Sequence, residues 1–363
     1  MRDFCNKYKI CHDCDNGSTC CASLAILLLA CKVPIAFRVI RKSERIKMID
    51  QMSARLHWNM YKGLEREFLS LAETIHINDK QVQVFSLRIS ELLIRTATEI
   101  ESISKDLYSV VSSLPVSRET YFDTDCLKYL NDKWHLEKRV IYVNCHLVYC
   151  DDESNTMLLP LKKASVQGAC DWKKAYQAVK HNGRMSIERG NIRNFMKALA
   201  ALYLLNVYYK GLSEHLEIGD AAASNKFNGP RDSDVFLVKV ASLGEEVGAI
   251  GYLPKRDFYD DCTYLVRPSE VSLQGMVNVL CKTNRDLVVE LKALLDNLSS
   301  NHWKGSKEDL DKMIAAARVR GAKKHSGEFI KAYSAFRYEA ELNLRQYDPP
   351  KLLCISQNAK SKL

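Results

Sequence analysis

Asn191-Ile-Arg-Asn-Phe-Met-Lys-Ala-Leu-Ala-Ala-Leu-Tyr-Leu-Leu-Asn-Val-Tyr-Tyr209 decides the fold. Met196, Leu199, Leu202, Tyr203, Leu205, Asn206 and Tyr209 leave hardly any polar face. A helix that is apolar nearly all round must be covered on several sides, so residues 188–215 read as an almost wholly buried helix. The covering helices are sought in the flanking sequence. Residues 49–75 carry Met52, Leu56, Trp58, Tyr61, Leu64 and Phe68 at helical spacing, and 81–112 carry Val84, Leu92, Leu93, Ile100, Ile103 and Leu107. Glu91, Arg95 and Glu99 lie four apart, a favourable ladder on a helix face. Another helix is expected at 167–181, stopped by Asn182-Gly183.

Other stretches break this pattern. Arg139–Tyr149 is rich in β-branched and aromatic residues and reads as a strand or extended connection. Strands are expected at Asp234–Ala241 and Cys262–Val266. Ser272 is read as the cap of a helix to about 298, and Ser306-x-x-Asp309 as a capping box for a helix to about Arg320. A last helix is expected at 329–345. The fold class is therefore mainly α: a helical bundle at 48–215, then a small β-containing insertion (216–267) and C-terminal helices within 216–348, then a loose tail at 349–363.

With 363 residues and 27% charged groups, the chain can bury a sizeable core without metal or disulfides. Its net charge of +9 lies at the ends. Residues 1–50 hold 9 Lys/Arg against 5 Asp/Glu, and 301–363 hold 13 against 7. Of 13 cysteines, six crowd the first 31 residues. Cys5, Cys11, Cys14 and Cys20, with His12, could supply zinc ligands, but one Cys-x2-Cys pair has no matching second pair. Leu28-Leu-Ala-Cys31 resembles a lipoprotein cleavage box after an unsuitable leader. We read 1–47 as a non-structural extension, with the zinc and export readings as alternatives. The scattered, apolar-flanked cysteines suit a reducing cytoplasm, and the apolar run at 22–31 is too short for a bilayer. No metal, cofactor or membrane partner is expected. No phosphate loop, His-Glu-x2-His, Gly-x-Ser-x-Gly or dinucleotide fingerprint is present. Gly244–Gly251 reads as a turn region.

The chemistry-bearing stretch is Trp172-Lys-Lys-Ala-Tyr-Gln-Ala-Val-Lys-His-Asn-Gly-Arg184. Residues 173–197 hold seven Lys/Arg against Glu188. A histidine between fixed cations at a helix end suits phosphate chemistry: the imidazole moves a proton while the cations hold the anion. His181, Lys180 and Arg184 are the candidate catalytic residues, and Lys173, Lys174, Arg189 and Arg193 the candidate RNA contacts. The bland alternative is that Lys-His only caps carbonyls and meets a carboxylate of the Glu91/Glu99 helix.

Trp172-x3-Tyr176-x2-Val-Lys-His181, then Arg184, then Asn191-x6-Ala-Leu-Ala-Ala-Leu-Tyr-Leu-Leu-Asn206, resembles a group of uncharacterised bacterial helical proteins. More distantly, over roughly residues 48–215, it is similar to the HEPN superfamily. That resemblance implies a dimeric, metal-independent endoribonuclease or RNA- or nucleotide-binding protein of phage defence or toxin–antitoxin systems. In it, Arg-x4–6-His pairs meet across the dimer. Here the residues five, six and seven before His181 are Tyr176, Ala175 and Lys174, so only Lys174 could replace the arginine. Arg320-x4-His325 fits the spacing and is a secondary candidate; Arg139-x6-His146 fits too but lies in a strand-like run. The reading from another class is a non-catalytic helical interaction or sensor protein.

Overall fold

The computed structural model describes residues 51–345 apart from 167, 169, 213–215, 225, 231, 243–258 and 302–304. The expectations for 1–47, 244–251 and 349–363 lie outside the described residues. The protein is mostly helical with small sheets. It divides into two compact units, one within Ile40–Arg267 and Tyr338–Leu363, the other containing Pro268–Arg337.

The first unit opens with α1 (Gln51–Thr74), the two-residue strand β1 (Ile77–Asn78) and α2 (Leu87–Ser112). Ser86 caps α2 by accepting from the Ile89 amide at 3.2 Å. A π-helical turn at Phe122–Leu127 runs into α3 (Lys128–Trp134). Then come β2 (Ile141–Val143), β3 (Val148–Tyr149), the single turn α4 (Glu153–Thr156) and β4 (Met157–Leu158). Helices α5 (Asp171–Ser186) and α6 (Ile192–Gly211) follow, with β5 (Leu216–Gly219), the turn α7 (Ala221–Ser224), β6 (Phe236–Val238), β7 (Val240–Ser242) and β8 (Tyr264–Pro268).

Helix α6 is the axis of this unit. Phe195, Met196, Leu199, Leu202, Tyr203, Leu205 and Tyr208 are all fully buried, and α1, α2 and α5 pack around it. Each such large apolar side chain contributes roughly 1.5–3 kcal/mol on burial. Phe195 meets Phe68, and Tyr203 lies between Tyr61 and Phe236. Asn191 caps α6 through the Asn194 amide at 3.0 Å. Just before it, Gly190 passes so close to α2 that a Cβ would sit 2.0 Å from Ser90 Oγ. The expected Glu91/Arg95/Glu99 ladder is partly diverted, because Glu99 lies 4.0 Å from Nδ1 of buried His57.

The strand-like run 139–149 is two strands in different sheets. β1 pairs β3 in parallel, and β2 sits between β4 and β6 in a three-stranded antiparallel sheet. The order of the third sheet is β5-β9-β8-β7, where β9 is Tyr338–Leu342. The last expected helix therefore ends early. In Tyr338-Glu-Ala-Glu-Leu342, residues 338, 340 and 342 alternate with glutamates, a period-two pattern. Arg267 on β8 pairs with both Glu339 and Glu341 at 2.8 Å.

The second unit is the chain between β8 and β9. It holds α8 (Glu270–Ser300), α9 (Lys307–Lys324) and α10 (Ser326–Ser334). Ser269, not Ser272, caps α8, and the Ser272 amide is its donor at 3.3 Å. The Ser306/Asp309 box at the start of α9 is reciprocal: each amide donates to the other's side chain, at 3.2 and 3.3 Å.

Candidate functional site

Helix α5 is anchored by its inner face. Trp172, Tyr176 and Val179 are buried, and Trp172 Nε1 donates to the Pro160 carbonyl at 2.8 Å. The helix is regular to His181. Asn182 then leaves helical geometry (φ −145°, ψ 53°), and the chain resumes as a short turn through Ser186 and a 3-10 turn at Ile187–Arg189. The expected stop is therefore a kink made at Asn182. Gly183 has open space around it.

Lys180, His181 and Arg184 flank this kink and are all exposed. Lys180 Nζ donates to Tyr176 Oη at 3.0 Å and sits over the same ring. Tyr176 Oη donates to Glu101 on α2 at 3.1 Å. The bond to Tyr176, with a smaller pull from Glu101, raises the lysine above its ordinary value, so it stays cationic. Among the described residues His181 Nε2 meets only Gln177 Oε1, at 3.1 Å. Arg184 has no acidic partner among the described residues, and Met185 beside it is 79% exposed. A cation held in place, an imidazole free of carboxylates and a second free cation could together bind a phosphate and move a proton near it.

The other expected contacts divide. Lys174 and Arg189 are exposed; the Arg189 carbonyl takes a bond from Asn194 Nδ2 at 2.9 Å. Arg193 is half-buried, its Nε enclosed and unbonded, and its charge acts on Cys150 and Asp152. Lys173 is not available to a ligand. It is 4% exposed, and Nζ pairs with Asp123 at 2.7 Å and donates to the carbonyls of Ala164 (2.8 Å) and Val166 (3.3 Å). Its place on the apolar side of α5, next to Trp172, is why a charged residue there is structural.

The secondary pair lies in the other unit. Arg320 Nε is 3.8 Å from Glu290, and His325 meets Asp286 at 2.9 Å and Glu328 at 3.4 Å. Each is directed at a carboxylate of its own unit rather than left open to a phosphate.

Sequence reasoning missed the buried polar centre around Arg139, which is fully buried. Its guanidinium donates to Tyr208 Oη (2.7 Å) and to the carbonyls of Trp134, Tyr259, Asp260 and Asn343. Beside it, buried Asp260 meets His135 (3.0 Å), Lys138 (2.9 Å) and Arg345 (3.0 Å). Arg345 also donates to His135 Nε2, at 2.5 Å. That nitrogen is therefore the acceptor, and Nδ1 carries the proton toward Asp260. The signal available was an arginine opening an apolar β-like run, where a charge must find many acceptors.

Among the described residues there is no group of three or more His, Cys, Asp or Glu able to hold a metal ion, and no helix long and apolar enough to cross a membrane. Comparison with family models, with curated proteins and with solved structures gave no match to this chain.

Proposed function

We propose that the protein is a HEPN-like RNA-binding protein that cleaves RNA without metal, acting as a homodimer in a phage-defence or toxin–antitoxin setting. The observation that carries this is the kink at Asn182, where His181 and Arg184 are exposed with no carboxylate partner among the described residues while Tyr176 holds Lys180 beside them. His181 acts as the acid/base, and Lys180 and Arg184 clamp the phosphate, with Lys174, Arg189 and Arg193 extending the basic surface. Exposed Met185 next to Arg184 favours a facing second copy, since an unbranched apolar side chain at the site's rim suits an interface. The test is cleavage of a labelled RNA by the full chain in excess chelator. Loss of cleavage in His181→Ala and Arg184→Ala, with unchanged folding, is expected. Cleavage retained in His181→Ala removes the site, and no cleavage by a dimeric preparation removes the activity.

A second reading is a non-catalytic helical interaction or sensor protein. It is favoured by the Lys180–Tyr176–Glu101 chain, which straps α5 to α2 as a structural contact would. On that reading Tyr176→Phe loosens the bundle and RNA affinity is unaffected.

A further inference from the structure

The second unit has a charge distribution that its own packing does not explain. From Lys312 to Arg337 it carries seven Lys/Arg against the single acid Glu328. Helix α9 buries Leu310, Ala317 and Gly321, a stripe at i, i+7 and i+11. Gly321 lies close enough to α8 that a Cβ would sit 3.3 Å from Leu287 Cα. At 100° per residue, Lys312, Val319 and Lys323 fall opposite that stripe, with Arg318 on its flank. All four are exposed. Acids of α8 account for the cations nearer the packed side: Glu290 meets Arg320 and Lys324. Lys312, Arg318 and Lys323 have no acidic partner among the described residues.

The following helix exposes another chemistry. No residue of α10 is buried. Phe329, Ile330 and Tyr333 are 42%, 66% and 65% exposed. Phe329 and Tyr333 are four apart and so share one face. Three unpaired cations on one helix and two aromatics on the next combine phosphate contacts with platforms for unstacked bases. A duplex would not offer its base faces, and a lipid surface would call for a longer apolar stripe than three side chains.

We propose that the unit containing Pro268–Arg337 is a binding module for single-stranded nucleic acid, with Lys312, Arg318 and Lys323 on the phosphates and Phe329 and Tyr333 stacking on bases. It rests on the RNA reading above for the choice of strand.

The test uses the full chain and a fluorescein-labelled 20-nucleotide uridine RNA, followed by anisotropy between 50 and 200 mM salt. The Lys312→Glu/Arg318→Glu/Lys323→Glu variant is expected to weaken binding at least tenfold. Its log Kd–log salt slope should fall by about 2, from three lost contacts at ~0.7 each. Phe329→Ala/Tyr333→Ala is expected to weaken binding fivefold or more with the slope unchanged. All five positions are exposed, so unaltered circular dichroism is the folding control. Wild-type affinity in the charge variant overturns the proposal whatever happens to cleavage. Absence of wild-type binding at 50 mM salt overturns it, as does preference for phosphatidylserine vesicles over the oligonucleotide. Lys180→Ala/Arg184→Ala separates the two sites: lost cleavage with retained binding leaves both standing, and retained cleavage sinks only the kink.

Discussion

Replacing Lys173 tests whether its cation belongs to the core or to a ligand. Its ammonium is enclosed with Asp123, which is itself only 16% exposed, and with two backbone carbonyls. Lys173→Ala takes the ammonium from that carboxylate, which keeps the Thr124 amide at 2.8 Å, and from both carbonyls. Removing one partner of a buried pair costs about 3–5 kcal/mol, most of it the desolvation of the group left behind. Asp123→Ala costs less, because the lysine keeps its two carbonyl acceptors. The double variant should be more stable than the sum of the singles by about 1–3 kcal/mol. Urea unfolding followed by circular dichroism measures all three. A Lys173→Ala midpoint that implies a loss under about 0.5 kcal/mol, the range of ordinary surface changes, would refute the reasoning and return this lysine to the ligand-binding surface.

Gly190→Ala pushes a methyl into Ser90 Oγ at 2.0 Å and should cost about 1–3 kcal/mol, with part of the loss recovered by Ser90→Gly, read from thermal melts. Gly183→Ala lies in open space without a positive φ, so it should be neutral or stabilising by up to about 1 kcal/mol; a marked loss would show that the glycine, not Asn182, makes the kink. Burial pushes Asp260 up, but the hydrogen bonds from Lys138 and His135 and the charge of Arg345 outweigh it and hold the carboxyl below its ordinary 3.8. Its contribution to stability is therefore present above that value and lost as pH falls toward the folded-state value, and Asp260→Asn should flatten the acid limb of the stability curve. Burial, with help from Asp261, pushes the Cys262 thiol up to about 12, and burial pushes Cys126 to about 11. Neither should be alkylated by iodoacetamide at pH 8 until the protein is unfolded, as peptide mapping will show.

Much of the helical framework was legible because periodicity carries it. The apolar surface of α6, the helix expected at 167–181 and the Ser306/Asp309 box are local patterns with local causes. What was not legible depends on distant partners. Lys173 reads as a surface cation until Asp123, fifty residues earlier, is brought beneath it. Strand β9 reads as the end of a helix until Arg267 takes up its two glutamates. Ser272 reads as the cap until the backbone turn puts Ser269 there instead. At the kink, the identities of Lys180, His181 and Arg184 were plain in the chain, whereas the Tyr176 bridge to Glu101 needed α2 in place.

The position of the helical unit between β8 and β9 also sets an order of events during synthesis. These two strands are neighbours in one sheet, yet the whole of Pro268–Arg337 must leave the ribosome between them. The guanidinium of Arg139 likewise waits for the Asn343 carbonyl, 204 residues later in the chain. Until then the first unit holds a sheet with a missing strand and a buried charge short of an acceptor. Such long-range closure is slow and leaves a strand edge open to the wrong partner. The inserted helices pack on one another, and the Ser269 amide donates to the Arg337 carbonyl at 2.8 Å, so the insertion can fold first and bring its ends together, and β9 reaches its place already tethered beside β8.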